Sequence, residues 1–411
     1  MASVPLRHIE QPGLEWEEDL FSCEPHWTKE PSIDIIKTLV VRHFDLDKEA
    51  PDVSFFAEGA FNKLYAVDCG RGRFIFRATL PVAPGVKTKS EVATLAFVRE
   101  NTTIPVPQVF AYDADLNNAL GFEWILMERI DARPLHEVWH SMSWLKKGLL
   151  VMKIADYTAQ LFRLEMRTIG SLYLTHDPPG FTLGETVLPQ FFKSTNIHLD
   201  IPRGPFASSR AYITARIQLT QHWARKLDLT DDDDAEHYAD IQAVLSGIQT
   251  LLPRLFLAAQ DQEQEQEPTT LCNRDISASN MLITPHGDLA SIVDWECTAF
   301  VPHYQAVAIP AFLKGPALAA PPEPQTPSTE AHLEQLEQYE KARLREFFVQ
   351  EMARVEPGWV RVYESQRVCQ DVLLAMEYCE NDMLVKWARG WVEKVVQGGG
   401  GSVRSLAEVG K

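Results

Sequence analysis

Between Leu271 and Glu296, three polar residues stand at fixed places among apolar runs: Asp275, Asn280 five positions later, and Asp294 closing Leu289-Ala-Ser-Ile-Val. Met281-Leu282-Ile283, a Pro-His-Gly-Asp turn and the second apolar run predict a β-hairpin with these polar groups at its open ends. Such a hairpin brings Asn280 and Asp294 together. Phosphoryl transfer calls for this kind of set: one carboxylate to orient and deprotonate an acceptor hydroxyl, and an amide oxygen plus a second carboxylate to hold magnesium on nucleotide phosphates. Asp275, Asn280 and Asp294 fit those roles in order.

Elements earlier in the chain have the composition needed to support such a site. Phe55 to Val67 gives two strand-like runs around Glu-Gly-Ala-Phe-Asn, a turn in which Gly59 leaves backbone N–H groups accessible to phosphates and Asn62 adds a side-chain donor. In Arg73 to Thr79, alternation puts Ile75 and Arg77 on one face and Phe74, Phe76 and Ala78 on the other. An arginine inside an aromatic strand is costly unless paired. Glu91, on a helix predicted over 89–98, is the candidate partner. A further apolar run, Phe122 to Glu128, reads as the last strand of this first unit.

The ordered set resembles the kinase-like phosphotransferases, in the branch of aminoglycoside phosphotransferases and choline kinases, and among these the fungal members. The carrying residues are Asn273-Arg274-Asp275 through Asn280, then Asp294-Trp295-Glu296, where an Asp-Trp-Glu ending is typical of the small-molecule branch. The resemblance extends over roughly residues 50 to 315. It implies a two-lobe α+β fold, ATP and magnesium as cosubstrate and cofactor, Asp275 as base, and Asn280 and Asp294 as metal ligands. It also implies nucleotide binding by Gly59, Asn62, Arg77 and Glu91, with backbone groups of Met127, Glu128 and Arg129 meeting the adenine edge. Asn273 stands where the family usually has His, a position that braces the catalytic loop.

Length and composition allow this. At 411 residues the chain can bury two sizeable cores. The expected organisation is an extension with a leading helix (1–49), a nucleotide lobe (50–129), a helical lobe (130–396) with a Pro-rich linker (315–329), and a disordered tail (397–411). Acidic or polar runs at 231–234 and 261–267 read as loops flanking a helix over about 235–259. Arg203-Gly204-Pro205-Phe206 reads as a structural turn. Tyr378, Trp387 and Trp391, on a helical stretch, read as core aromatics with a lesser option of walling a cationic head group.

With 39 basic against 57 acidic side chains, the net charge of -18 argues against nucleic-acid binding and biases the small-molecule acceptor toward cations. Six scattered cysteines without metal-like spacing read as reduced thiols. The N-terminal stretch has no apolar signal region, and no run reaches the roughly 18 apolar residues of a membrane span, so a cytoplasmic location without membrane attachment is expected. Oligomeric state and acceptor are not legible. Two functions compete: a small-molecule phosphotransferase, and a noncatalytic or nucleotide-binding kinase-like scaffold. A protein kinase is disfavoured because Asp-Trp-Glu replaces Asp-Phe-Gly and no Ala-Pro-Glu follows.

Overall fold

A computed structural model describes residues 9–18, 23–46, 50–256, 267–316, 318, 320–323, 329–399 and 405–406. Strands β1 (Leu14–Glu18) and β2 (Cys23–Trp27) form a hairpin, and helix α1 (Ile33–Phe44) follows, capped by the Ser32 side chain. The first lobe is built on a five-stranded antiparallel sheet of β3 (Asp52–Glu58), β4 (Asn62–Cys69), β5 (Gly72–Thr79), β6 (Val109–Asp113) and β7 (Glu123–Glu128), in the order β3-β4-β5-β7-β6. One face packs Val67, Phe74, Phe76, Ala78 and Trp124 against Ile36 and Val40 of α1. The other holds Ile75, Ile125 and Met127 against Val92 of helix α2 (Lys87–Asn101). The alternation in β5 therefore places Arg77 beneath α2.

The second lobe is mainly helical. Its central helix, Trp144–Arg163, packs on the long Glu330–Val355 helix and buries Leu150, Ile154, Tyr157 and Leu161. Short strands position the candidate residues. β8 (Arg133–Pro134) pairs with β13 (Met281–Ile283), which pairs with β14 (Leu289–Ile292). Between them in the chain lie β9 (Glu165–Met166), the hairpin β10 (Ser171–His176) and β11 (Pro179–Gly184), and β12 (Thr269–Cys272), with β15 (Ala299–Pro302) after. β12 runs between β9 and β15. This small sheet-rich lobe before a helical one is the two-lobe kinase-like α+β arrangement that the resemblance implies.

Several local expectations shift. The acidic run 231–234 is a helix start rather than a loop: the Asp231 side chain accepts from the Asp233 and Asp234 amides at 3.0 and 3.1 Å, and the helix spans Asp232–Leu255. Carboxylates there meet the unpaired N–H groups and the positive end of the helix dipole. Of the second run, 261–266 lies outside the described residues, as do 317, 319 and 324–328 of the linker and 400–404 and 407–411 of the tail. Arg203 is indeed structural, its buried guanidinium gathering the carbonyls of Asn196, Ile197 and Leu199 at 2.7, 2.8 and 3.2 Å. Gly204, at φ +94°, leaves no space for a Cβ beside Thr186 Oγ1. Trp391 is buried in the core, whereas Trp387 is exposed, so the two do not form one aromatic wall.

Candidate active site

The hairpin β13–β14 places the three chemical residues at one end. Val293 N donates to the Asn280 carbonyl at 2.9 Å, so Asn280 sits beside the residue preceding Asp294. Asn280 Nδ2 donates to Asp275 Oδ2 at 2.8 Å and to the Asp275 carbonyl at 3.1 Å. Its amide nitrogen is thereby committed, which leaves the amide oxygen for a cation. Asn273 closes the loop from the other side: its Oδ1 accepts from Asp275 N at 2.8 Å, and its Nδ2 donates to the Asp294 carbonyl at 3.2 Å. One side chain thus ties Asp275 to the backbone of Asp294.

Asp294 itself adopts a left-handed φ of 63°, a conformation uncommon outside glycine. Its Oδ1 is buried without a hydrogen-bond partner among the described residues. Burial, then the Glu296 carboxylate, and more weakly that of Asp275, push its pKa up to about 7 against the opposing pull of Arg77 and Lys87. No group of three His, Cys, Asp or Glu side chains is arranged for a metal among the described residues. Magnesium does not require one, since it binds hard oxygens through one or two carboxylates together with phosphates and water. An unpartnered buried carboxylate oxygen beside an amide oxygen fits that ion.

Above the hairpin lies a buried charged cluster. Arg77 of β5 and Glu91 of α2 form an ion pair, as the sequence suggests. Glu296 joins it: its Oε2 is 2.5 Å from Lys87 Nζ, 2.8 Å from Asn62 Nδ2 and 4.0 Å from Arg77 Nη1. Burial disfavours the charge of Glu296, yet Lys87 and Arg77, with hydrogen bonds from Lys87 and Asn62, hold its carboxyl below the ordinary value. Thr79 Oγ1 donates to Asn62 Oδ1 at 2.9 Å, so both ends of the Asn62 amide have protein partners. Lys87 and Glu296 are absent from the sequence-derived site. The legible signal was that Lys87 and Glu91 lie four apart on one face of α2.

The remaining nucleotide candidates divide. Gly59 N donates to the Asn62 carbonyl at 2.9 Å, closing the turn, and a Cβ there would meet open space. Met127 is buried opposite Ile75, and Glu128 N donates to the Gln108 carbonyl at 2.8 Å. Arg129 lies just past the end of β7, its guanidinium 5.2 Å from the Phe56 ring of β3. The Phe56–Arg129 contact ties the edge strand β3 to the end of the first lobe.

Among curated proteins, the subtelomeric hrmA-associated cluster protein of Aspergillus fumigatus is 26% identical over 312 residues, 64% of this chain and 60% of that protein. Altered inheritance of mitochondria protein 9, mitochondrial, of Yarrowia lipolytica is 24% identical over 60% of this chain and 48% of its own. The chain therefore spans about half to three fifths of the length of these relatives. Among solved structures, the streptomycin–ATP ternary complex of aminoglycoside phosphotransferase APH(2")-IIa aligns at 13% identity and a TM-score of 0.48, over 86% of this chain and 91% of that one. No described helix is long and apolar enough to cross a membrane. A model of the phosphotransferase enzyme family matches residues 52–309, more than half of the sequence, and the chain belongs to that family.

Proposed function

We propose that the chain is an ATP- and magnesium-dependent phosphotransferase acting on a hydroxyl group of a small molecule, with Asp275 as general base and Asn280 and Asp294 as metal ligands. The observation that carries this reading is the buried, unpartnered Asp294 Oδ1 at the hairpin end where Asn280 and Asp275 are already hydrogen-bonded. Magnesium, when bound, supplies positive charge to the phosphates in the transition state. The chain's own groups do the rest. The Asp275 carboxylate, exposed at the loop surface and steadied by Asn280 Nδ2, takes the acceptor hydroxyl proton. Arg77, oriented by Glu91, offers its guanidinium to the nucleotide phosphates, and the segment at Arg129 with Phe56 borders the base. Positioning and charge stabilisation suffice for this chemistry.

The test is thermal melting with ATP and magnesium together and separately, paired with an assay for transfer of labelled γ-phosphate. Joint stabilisation with transfer supports the reading. Stabilisation without transfer to any hydroxyl compound supports the nucleotide-binding scaffold, and the absence of both overturns nucleotide chemistry.

A further inference from the structure

A cavity of about 610 Å³ opens beside the loop that carries Asp275; Asn273, Arg274 and Ile276 of that loop line it, with Trp359 and Tyr363, while Asp275 itself adjoins it. Its charge runs against that of the whole chain. Three cations line it, Arg274, Lys314 and Arg345, against two carboxylates, Asp371 and Glu377. Both carboxylates are engaged: Glu377 lies 3.8 Å from Arg274, and Asp371 accepts from Ser405 Oγ at 2.9 Å and Leu406 N at 3.0 Å. The cations are not all answered. Arg345 Nε donates to the Leu313 carbonyl at 3.0 Å, but its Nη2 is buried with no hydrogen-bond partner among the described residues, and Lys314, exposed at the mouth, is free of ion pairs there.

An unpaired buried guanidinium nitrogen is costly unless an anion completes it, and Arg with Lys on one wall is a common way to hold carboxylate or phosphate. The Trp359 and Tyr363 rings, stacked with centroids 5.1 Å apart, supply an apolar surface facing the same space. Resting on the phosphotransferase reading above, we infer that this cavity binds the acceptor and that the acceptor is an anionic hydroxyl compound, a hydroxy acid carrying a carboxylate or phosphate. Lys314 and Arg345 hold its anionic group and the hydroxyl is directed to Asp275. In the transfer, the acceptor oxygen bonds to the γ-phosphorus of ATP, the bond from that phosphorus to the bridging oxygen breaks, ADP leaves, and the hydroxyl proton passes to Asp275.

The full chain is titrated calorimetrically with 3-hydroxybutyrate and glycerol 2-phosphate, with their uncharged counterparts ethyl 3-hydroxybutyrate and glycerol, and with choline and kanamycin. Each compound is also offered as acceptor with labelled ATP. At least one acid is expected to bind tenfold or more tightly than its neutral counterpart, and which one separates carboxylate from phosphate. Lys314→Gln and Arg345→Lys should each weaken that acid about tenfold and leave ATP–magnesium stabilisation unchanged. The inference is overturned if neither acid outbinds its neutral counterpart, if choline or kanamycin is taken instead, or if a well-folded Lys314→Gln binds the acid as wild type does. In each of those cases, intact ATP–magnesium binding leaves the phosphotransferase reading standing. Loss of nucleotide binding by the wild type would sink that reading on its own.

Discussion

Lys87 Nζ lies 2.5 Å from Glu296 Oε2, joining the first turn of α2 to the residue two positions beyond Asp294. Lys87 is buried and Glu296 is only 11% exposed, so water compensates little for either if the other is lost. Because Asn62 donates to the same carboxylate oxygen, the turn ending at Asn62, α2 and the loop after β14 share one anchor. Under the proposed function, this anchor is the contact through which a nucleotide at the turn would bear on the position of Asp294.

Lys87→Met should be strongly destabilising, since removing one partner of a buried pair leaves an uncompensated charge and costs ~3–5 kcal/mol. Glu296→Gln in the same background should recover much of that loss. Urea denaturation of the two single variants and the double variant measures the coupling. Strictly additive effects would show that the two side chains do not interact across the lobes.

Asn273 bridges Asp275 N and the Asp294 carbonyl, so Asn273→Ala removes two hydrogen bonds, each worth roughly 1 kcal/mol. Phosphate transfer should fall by more than tenfold with only a modest drop in stability. Asn273→His keeps a ring N–H donor and should stay within a few-fold of wild type. A histidine variant as impaired as the alanine variant would mean that the amide geometry itself is needed.

The candidate site was legible where chemistry and local pattern coincide. Asp275, Asn280 and Asp294 stand among two short apolar runs and a turn that read as a hairpin, and Arg77 stands out because an arginine in an aromatic strand demands a partner. Lys87 and Glu296 escaped because their pairing spans 209 positions and no local pattern reports such a contact. Asn62 was read as a phosphate donor from its place in a turn, and only the packing of the lobes reveals that its amide is shared between Thr79 and Glu296. In the fold, the Asp231–Asp234 run was misread because polarity alone does not separate a loop from a capped helix start.

Asp294, with its pKa raised to about 7 in the folded protein, should give a distinct pH signature. The unfolded chain releases this proton near the ordinary aspartate value and the folded chain only near 7, so unfolding releases a proton in between and stability falls as pH rises through that window. In metal-free protein, Asp294→Asn should flatten this slope and be relatively more stable at pH 8 than at pH 5. Magnesium works the other way: it competes with the proton, so wild-type affinity for magnesium with nucleotide should rise as pH increases through 7. Melting curves at a series of pH values, with and without metal, test both signs. A wild type and Asp294→Asn pair with parallel profiles would place the titration elsewhere.

Asp275→Asn separates chemistry from binding. The neutral amide keeps nearly the same volume and can still accept from Asn280 Nδ2, so the loop should retain its packing. It cannot take the acceptor proton, and loss of a general base typically costs about a hundred- to ten-thousand-fold in rate. Because stabilisation by a ligand depends on its affinity for the folded state rather than on turnover, ATP with magnesium should raise the melting temperature of Asp275→Asn as it does for wild type. Asp294→Ala, by contrast, should lose both transfer and most of the magnesium-dependent part of that shift. Melting and transfer measured on the same preparations decide the division of labour: full transfer by Asp275→Asn would remove Asp275 from the role of base, and an undiminished magnesium-dependent shift in Asp294→Ala would remove Asp294 from the metal site.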